Sequence, residues 1–156
     1  MTNDRGNYSG NSDALLGFDF GTRKIGVAIG DLESGIASPL KTLAAVRQMP
    51  DWQNISDLIN TWQPRGLVVG VSRQTDGSDN PVTRRMLRFC RQLEGRYGLP
   101  VYQIDESLTT FEAKQLLFDD AGVDASTLWK VQDRVAAQLI LQTWLNENRK
   151  RADGHG

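Results

Sequence analysis

The stretch Leu15-Leu16-Gly17-Phe18-Asp19-Phe20-Gly21-Thr22-Arg23-Lys24-Ile25-Gly26-Val27-Ala28-Ile29-Gly30-Asp31 decides the fold. It reads as two strands joined by a tight turn. Side chains alternate along a strand, so Leu16, Phe18 and Phe20 share one face while Leu15, Gly17 and Asp19 share the other. Beyond the turn, Ile25, Val27 and Ile29 alternate with Gly26, Ala28 and Gly30. Gly21 and the polar run Thr22-Arg23-Lys24 supply hairpin chemistry between the two apolar runs. A strand this apolar is expected at the centre of a sheet covered on both faces. Asp19 is out of place there, because a charge in that setting is costly unless a cation meets it. An acid at the end of a core strand, beside glycines, is a position for metal or phosphate chemistry.

The rest of the chain builds on this hairpin. Residues 35–43 can form a third strand, in which Pro39 marks an edge or a bulge. Residues 49–62 read as a helix, because Trp52, Ile55, Leu58, Ile59 and Trp62 recur at spacings of three and four. Asp51 stands near its start and Pro64 just past its end. The continuous apolar run 66–71 has the pattern of a buried parallel strand. A turn-rich loop, 72–80, leads to Asn80-Pro81, a cap and first residue for a helix that buries Met86, Leu87, Cys90, Leu93 and Tyr97. Residues 100–104 make the next strand. Thr109 and Glu112 form a capping box for a helix over 110–120, closed by Gly122. A last helix covers 128–146. This order predicts an α/β fold, a mixed five-stranded sheet with helices on both faces. The expected domain is 14–147, with a disordered polar extension at 1–13 and a flexible tail at 148–156.

Composition narrows the chemistry. The chain has 156 residues, enough for one well-buried core, with 39% hydrophobic and 24% charged residues. No apolar run approaches the roughly 20 residues that cross a bilayer, so no membrane role is expected. With one cysteine, Cys90, an internal disulfide and a cysteine zinc cluster are excluded, and Cys90 reads as a small buried hydrophobe. The single histidine, His155, lies in the tail, which removes histidine catalysis. Carboxylates, hydroxyls and basic residues must carry any reaction, and a reducing cytoplasm fits. The net charge of −1 does not announce a nucleic-acid binder, yet Arg84, Arg85, Arg88, Arg91 and Arg96 stand against Glu94 alone between Pro81 and Tyr97.

Three acids are expected to converge. Asp19 and the pair Asp105-Glu106 end strands, where ligands gather in open α/β sheets. Asp133 heads the apolar stripe Ala136, Ala137, Ile140 and Trp144, and those small alanines let the helix approach the sheet, bringing Asp133 toward Asp19. Capping is the simpler role for Asp133 taken alone. Without His or Cys, an all-oxygen set suits Mg²⁺ or Mn²⁺, which can activate water and stabilise a leaving oxygen at a phosphodiester. Polyanion contacts are expected from Arg23 and Lys24 on the hairpin turn and from Ser72 in the loop. Arg84, Arg85 and Arg88 on the basic helix, with Thr109 and Thr110, complete that set.

With these residues in view the chain resembles the YqgF family, also called RuvX. The motifs that carry the resemblance are Phe18-Asp19-Phe20-Gly21-Thr22-Arg23-Lys24-Ile25-Gly26-Val27-Ala28, Val69-Gly70 with Asp76-Gly77, Asp105-Glu106-Ser107-Leu108-Thr109-Thr110, and Asp133 with Ala136-Ala137 and Ile140-Leu141-Gln142. The resemblance implies a ribonuclease-H-like fold and a metal-dependent nuclease maturing the 5′ end of pre-16S ribosomal RNA in the bacterial cytoplasm. It carries catalysis and metal binding onto Asp19, Glu106 and Asp133, with Asp105 in support on the opposite side of the strand end. Two departures stand beside the site: Gly70-Val71-Ser72 replaces the family's Gly-Leu-Pro, and Ser107 replaces an Arg. The alternatives are a Holliday-junction resolvase-like DNA endonuclease, or a nucleic-acid-binding regulatory module without turnover. A sugar-kinase or actin-like ATPase also shares Asp19-Phe20-Gly21-Thr22 but needs two such domains. A monomer or weak homodimer is expected.

Overall fold

The computed structural model describes residues 13–21, 23–46, 49–71, 81–105 and 125–153, with 46, 125–131 and 149–153 through their backbone alone. β1 (Ala14–Phe20) and β2 (Lys24–Asp31) form the expected antiparallel hairpin, with Asp19 opposite Gly26 and Phe20 opposite Ile25. The Gly21 N–H donates to the Lys24 carbonyl at 2.9 Å and closes the turn. β3 (Ile36–Val46) returns along β2 after a turn in which Gly35 has φ 70°, the left-handed region glycine tolerates. Val27 pairs with Lys41 and Ala28 with Pro39, so Leu40 is the extra residue of a bulge, located where a proline that cannot donate to the ladder predicts one.

β5 (Gly66–Val71) runs parallel to β1, and β6 (Val101–Asp105) runs parallel to β5. Among the described residues the sheet has six strands in the order β4-β3-β2-β1-β5-β6, one more than the five expected. The addition is β4, Met49–Pro50, paired with Ala45 and Val46. By apolar spacing alone those two residues belong to the start of the helix expected over 49–62. The helix, α1, instead spans Trp52–Trp62, because the Asp51 side chain caps it by accepting from the Asn54 N–H at 3.2 Å. A cap leaves the residues before it outside the helix, and here they pair with the end of β3.

The alternation read from the hairpin sorts the core into two layers. Leu16, Phe18, Phe20, Ile25 and Val27 pack with Ile55 and Ile59 of α1 and with Met86, Phe89, Cys90, Leu93 and Tyr97 of α2 (Pro81–Tyr97). On the other face Leu15, Ala28, Val68 and Ile104 pack with Ala137, Ile140, Leu141, Trp144 and Leu145 of α3 (Ala125–Asp153). Side-chain amides fix the direction of α3. Gln142 accepts from the Ala37 N–H at 2.9 Å and donates to the Gly35 carbonyl at 2.8 Å, while Gln138 donates to the Ala37 carbonyl at 3.1 Å. α3 is longer than the expected 128–146. Residues 148–153, assigned to a flexible tail, continue the helix. Arg, Lys and Ala are strong helix formers and need no apolar face to propagate a helix already begun.

Burial beneath α2 pushes the Cys90 thiol from its ordinary 9.0 up to about 11, with Glu94 adding to the rise. The thiolate is the reactive form, so the native protein at pH 8 should give no reaction with a thiol-titrating disulfide reagent, and one thiol per chain after unfolding. The unfolded thiol ionises first, so stability is full below pH 9 and falls as pH rises through about 11.

Candidate active site

β1, β5 and β6 are mutually parallel, so their carboxyl ends share one end of the sheet. Asp19 is half-buried there, one residue before the end of β1. By alternation its side chain belongs to the face covered by α3, with Leu15 and Gly17. Opposite it on β2 stands Gly26. The main chain of Asp133 rests on that glycine: a Cβ at position 26 would overlap the Asp133 carbonyl oxygen and come within 2.9 Å of the Arg134 nitrogen. Directly opposed residues of an antiparallel pair lie about 4.5–5.5 Å apart at Cα. Asp19 and Asp133, remote in sequence, therefore flank one residue. Asp133 is half-buried, and α3 carries it there because its apolar rows settle onto β1 and β2.

The close approach was expected from the alanines of the helix, and it is made largely by glycines of the sheet. Ala137 is fully buried while Ala136 is half-buried, and Gly17, Gly26 and Gly30 supply the missing volume beneath α3. Asp105 ends β6 opposite Val71 and is exposed. Ile104 packs under α3 and Val101 against the opposite core, so alternation turns Asp105 away from the face of Asp19. Glu106, Ser72, Thr109 and Thr110 lie outside the described residues, as does the helix expected over 110–120.

The basic residues approach the same end from other directions. Arg23 and Lys24 are exposed at the β1–β2 turn, and the Arg23 carbonyl accepts from the Ala45 N–H at 2.8 Å. On α2, Arg84, Arg88 and Arg91 are exposed, whereas Arg85 is half-buried. The short link from α2 through Gly98, Leu99 and Pro100 enters the amino end of β6, so the first turns of α2, with Arg84, lie toward the carboxyl end. The sheet separates this stripe from α3. Arg96 is engaged otherwise, its guanidinium 4.0 Å from the Trp52 ring centre.

One acidic group escaped the sequence reading. Asp13, Asp31 and Glu33 place carboxylate oxygens within 4.8 Å of one another. They sit at the amino end of β1, about 20 Å along the strand from Asp19, where Asp13 pairs with Arg65 at 3.2 Å and Asp31 accepts from the Glu33 N–H at 2.6 Å. The hairpin brings them together, and spacing in the sequence gives no hint of it.

A family model described as "RuvX: Holliday junction resolvase" matches residues 13–147. Curated relatives named "Putative pre-16S rRNA nuclease" include one from Methylococcus capsulatus, 54% identical over 131 residues, 84% of this chain and 87% of that protein. Another from Pseudomonas fluorescens is 45% identical over 134 residues, 86% of this chain and 92% of that protein. Among solved structures, the Thermus thermophilus RuvC complex with a Holliday junction superposes with TM-score 0.55 at 15% identity, covering 86% of this chain and 94% of that one. The fowlpox virus resolvase bound to Holliday junction DNA gives 0.52 at 12% identity, covering 86% and 97%. These likenesses extend to the fold, which is the RuvC-like ribonuclease H arrangement of a mixed sheet between helices. Because the family match spans every described strand and most of the helix that carries Asp133, the chain belongs to the RuvX family.

Proposed function

We propose that this chain is a divalent-metal-dependent nuclease hydrolysing phosphodiester bonds at the 5′ end of pre-16S ribosomal RNA, with Asp19, Glu106 and Asp133 as its acidic centre. The observation that carries this reading is the seating of Asp133 on Gly26, the ladder partner of Asp19. Two half-buried acidic residues whose backbones meet at one glycine are suited to hold a cation between their carboxylates. Their oxygen donors, with no histidine or cysteine near, fit Mg²⁺ or Mn²⁺. When bound, such an ion supplies Lewis-acid stabilisation of the phosphoryl oxygens and a more acidic water. The chain's own part is to fix the acids. β1 holds Asp19 through its ladder, α3 holds Asp133 through its packing and the Gln138 and Gln142 amides, and Glu106 follows β6 directly. Arg23, Lys24, Arg84 and Arg88 would neutralise the sugar-phosphate backbone, with Arg85, Ser72, Thr109 and Thr110 completing the contacts. No helix among the described residues is long and apolar enough to cross a membrane. We place the enzyme in the cytoplasm, as a monomer or weak homodimer.

A second substrate, a four-way DNA junction, is favoured by the fold shared with junction-bound resolvases. The test is side-by-side incubation of the protein with precursor RNA carrying an unprocessed 5′ end and with a four-way junction, in Mg²⁺ and in EDTA. We expect cleavage of the RNA that EDTA abolishes. Cleavage of the junction alone would transfer the reading to DNA, and metal-dependent hydrolysis of neither would overturn it.

The basic stripe carries its own prediction. Backbone contacts hold without reading bases. Replacing Arg84 and Arg88 together by Ala should weaken binding about tenfold near 0.1 M salt and lower the salt-dependence slope by about one to two, equally for unrelated sequences. Filter binding across a salt series measures both.

A further inference from the structure

The glycines under α3 are not equivalent. A Cβ at Gly30 would meet the flexible ends of side chains, Leu141 Cδ2 at 2.8 Å and Leu145 Cδ1 at 2.9 Å. A Cβ at Gly17 would meet Leu141 Cβ at 2.8 Å and the Ala137 carbonyl oxygen at 3.2 Å. At Gly26 the neighbours are all main chain: the carbonyl of Asp133 and the nitrogen of Arg134. Leucine tips can turn aside, but a helix backbone moves only as a body. Backbone conformation does not demand glycine at this position, since Gly35 and Gly98 are the described glycines with positive φ. Glycine inside a strand weakens it, so its presence at position 26 calls for a reason, and the reason is space.

We propose that Gly26 is a positioning residue for Asp133: by lacking a Cβ it lets α3 rest on β2 at the level of Asp19 and so sets the separation of the two carboxylates. This rests on the reading of Asp19 and Asp133 as one acidic centre. Downstream, Gln138 and Gln142 bind α3 to the backbone of Gly35 and Ala37 at the start of β3, and Leu141 and Leu145 are fully buried. A methyl group at position 26 therefore acts as a wedge near one end of a helix fixed further along. The helix lifts at Asp133 and holds at Gln142. A displacement of about 1 Å is enough to spoil a reacting geometry, and loss of support around a metal ligand costs about 10–100-fold in metal affinity.

The experiment compares Gly26→Ala, Gly17→Ala and Gly30→Ala in the full chain, by Mn²⁺ titration of the protein alone using electron paramagnetic resonance, together with thermal unfolding and KM for nucleic acid. We expect Gly26→Ala to weaken Mn²⁺ binding about tenfold or more, Gly17→Ala less, and Gly30→Ala no more than about twofold, with KM for nucleic acid unchanged. Equal Mn²⁺ affinity in Gly26→Ala and wild type overturns the proposal. So does an equal loss in Gly26→Ala and Gly30→Ala, which would mean that packing alone is at work. If Gly26→Ala does not fold, the pair Gly17→Ala and Gly30→Ala decides: Gly17→Ala presses on Leu141 Cβ and the Ala137 carbonyl, which move only with the helix, so a greater loss of Mn²⁺ affinity there than in Gly30→Ala supports the proposal and equal losses overturn it. Asp19→Asn and Asp133→Asn separate the two levels of inference. If neither lowers Mn²⁺ affinity, the acidic centre itself fails. If both do and Gly26→Ala does not, the positioning role alone fails.

Discussion

Asp19→Asn is expected to lower metal-dependent cleavage about 10³-fold, roughly 4 kcal/mol of transition-state stabilisation, with the fold intact. Asn keeps the size of the side chain and its capacity to hydrogen-bond, so β1 retains its shape and its pairing with Gly26. What disappears is the negative charge of one of the two proposed ligands. The effect should fall on kcat and on metal dependence rather than on nucleic-acid binding, because the basic side chains of the hairpin turn and α2 are untouched. A second readout needs no substrate. A cation that binds the folded state alone raises the unfolding midpoint by mass action, so Mg²⁺ should raise it for wild type and leave it unmoved for Asp19→Asn. Cleavage within tenfold of wild type would remove Asp19 from the reaction. An undiminished Mg²⁺ shift would place the cation elsewhere, and Asp13, Asp31 and Glu33 would be the next acids to test.

What the sequence made legible follows the physics of each element. Period-two alternation from Leu15 to Gly30 sorted both faces of the sheet, because a one-residue error would turn every core side chain into solvent. The capping residue Asp51 and the apolar spacing behind it placed α1, while β4 stayed hidden because two residues carry no periodicity. In the last helix the stripe was read as Ala136, Ala137, Ile140 and Trp144. The structure buries Ala137, Ile140 and Trp144 but turns the helix so that Leu141 and Leu145 settle over Gly17 and Gly30. A helix rotates toward the face its partner leaves open, and the partner's shape is not written in the helix. Asp19 stood out as a charge in a core strand and Asp133 as a charge at the head of an apolar stripe. Their meeting at Gly26 depends on a contact between main chains, which residue types alone do not display.

Phe89→Ala is expected to cost about 3–5 kcal/mol of stability, against a total of about 5–15 for a domain of ordinary stability. Phe89 is 1% exposed and touches three aromatic rings: Phe20 stacked at 4.8 Å, Phe18 edge-on at 5.7 Å and Trp52 at 5.8 Å. From α2 it reaches Trp52 of α1 and, on β1, Phe18 and Phe20, the two neighbours of Asp19. Removing the ring empties a site whose walls are the sheet and two helices, and such walls close poorly. Urea unfolding should show a lower midpoint with an unchanged slope, and the thermal midpoint should fall by about 10 °C. Phe89→Leu, which refills most of the volume and loses only the ring geometry, should cost less than half as much. The acids sit on the far face of the sheet, so at a temperature where Phe89→Ala remains folded its metal-dependent cleavage should stay within a few-fold of wild type. A variant with wild-type stability would mean that β1 is held from α3 alone. A stable variant with cleavage lost would mean that the aromatic layer reaches through the strand to set the position of Asp19.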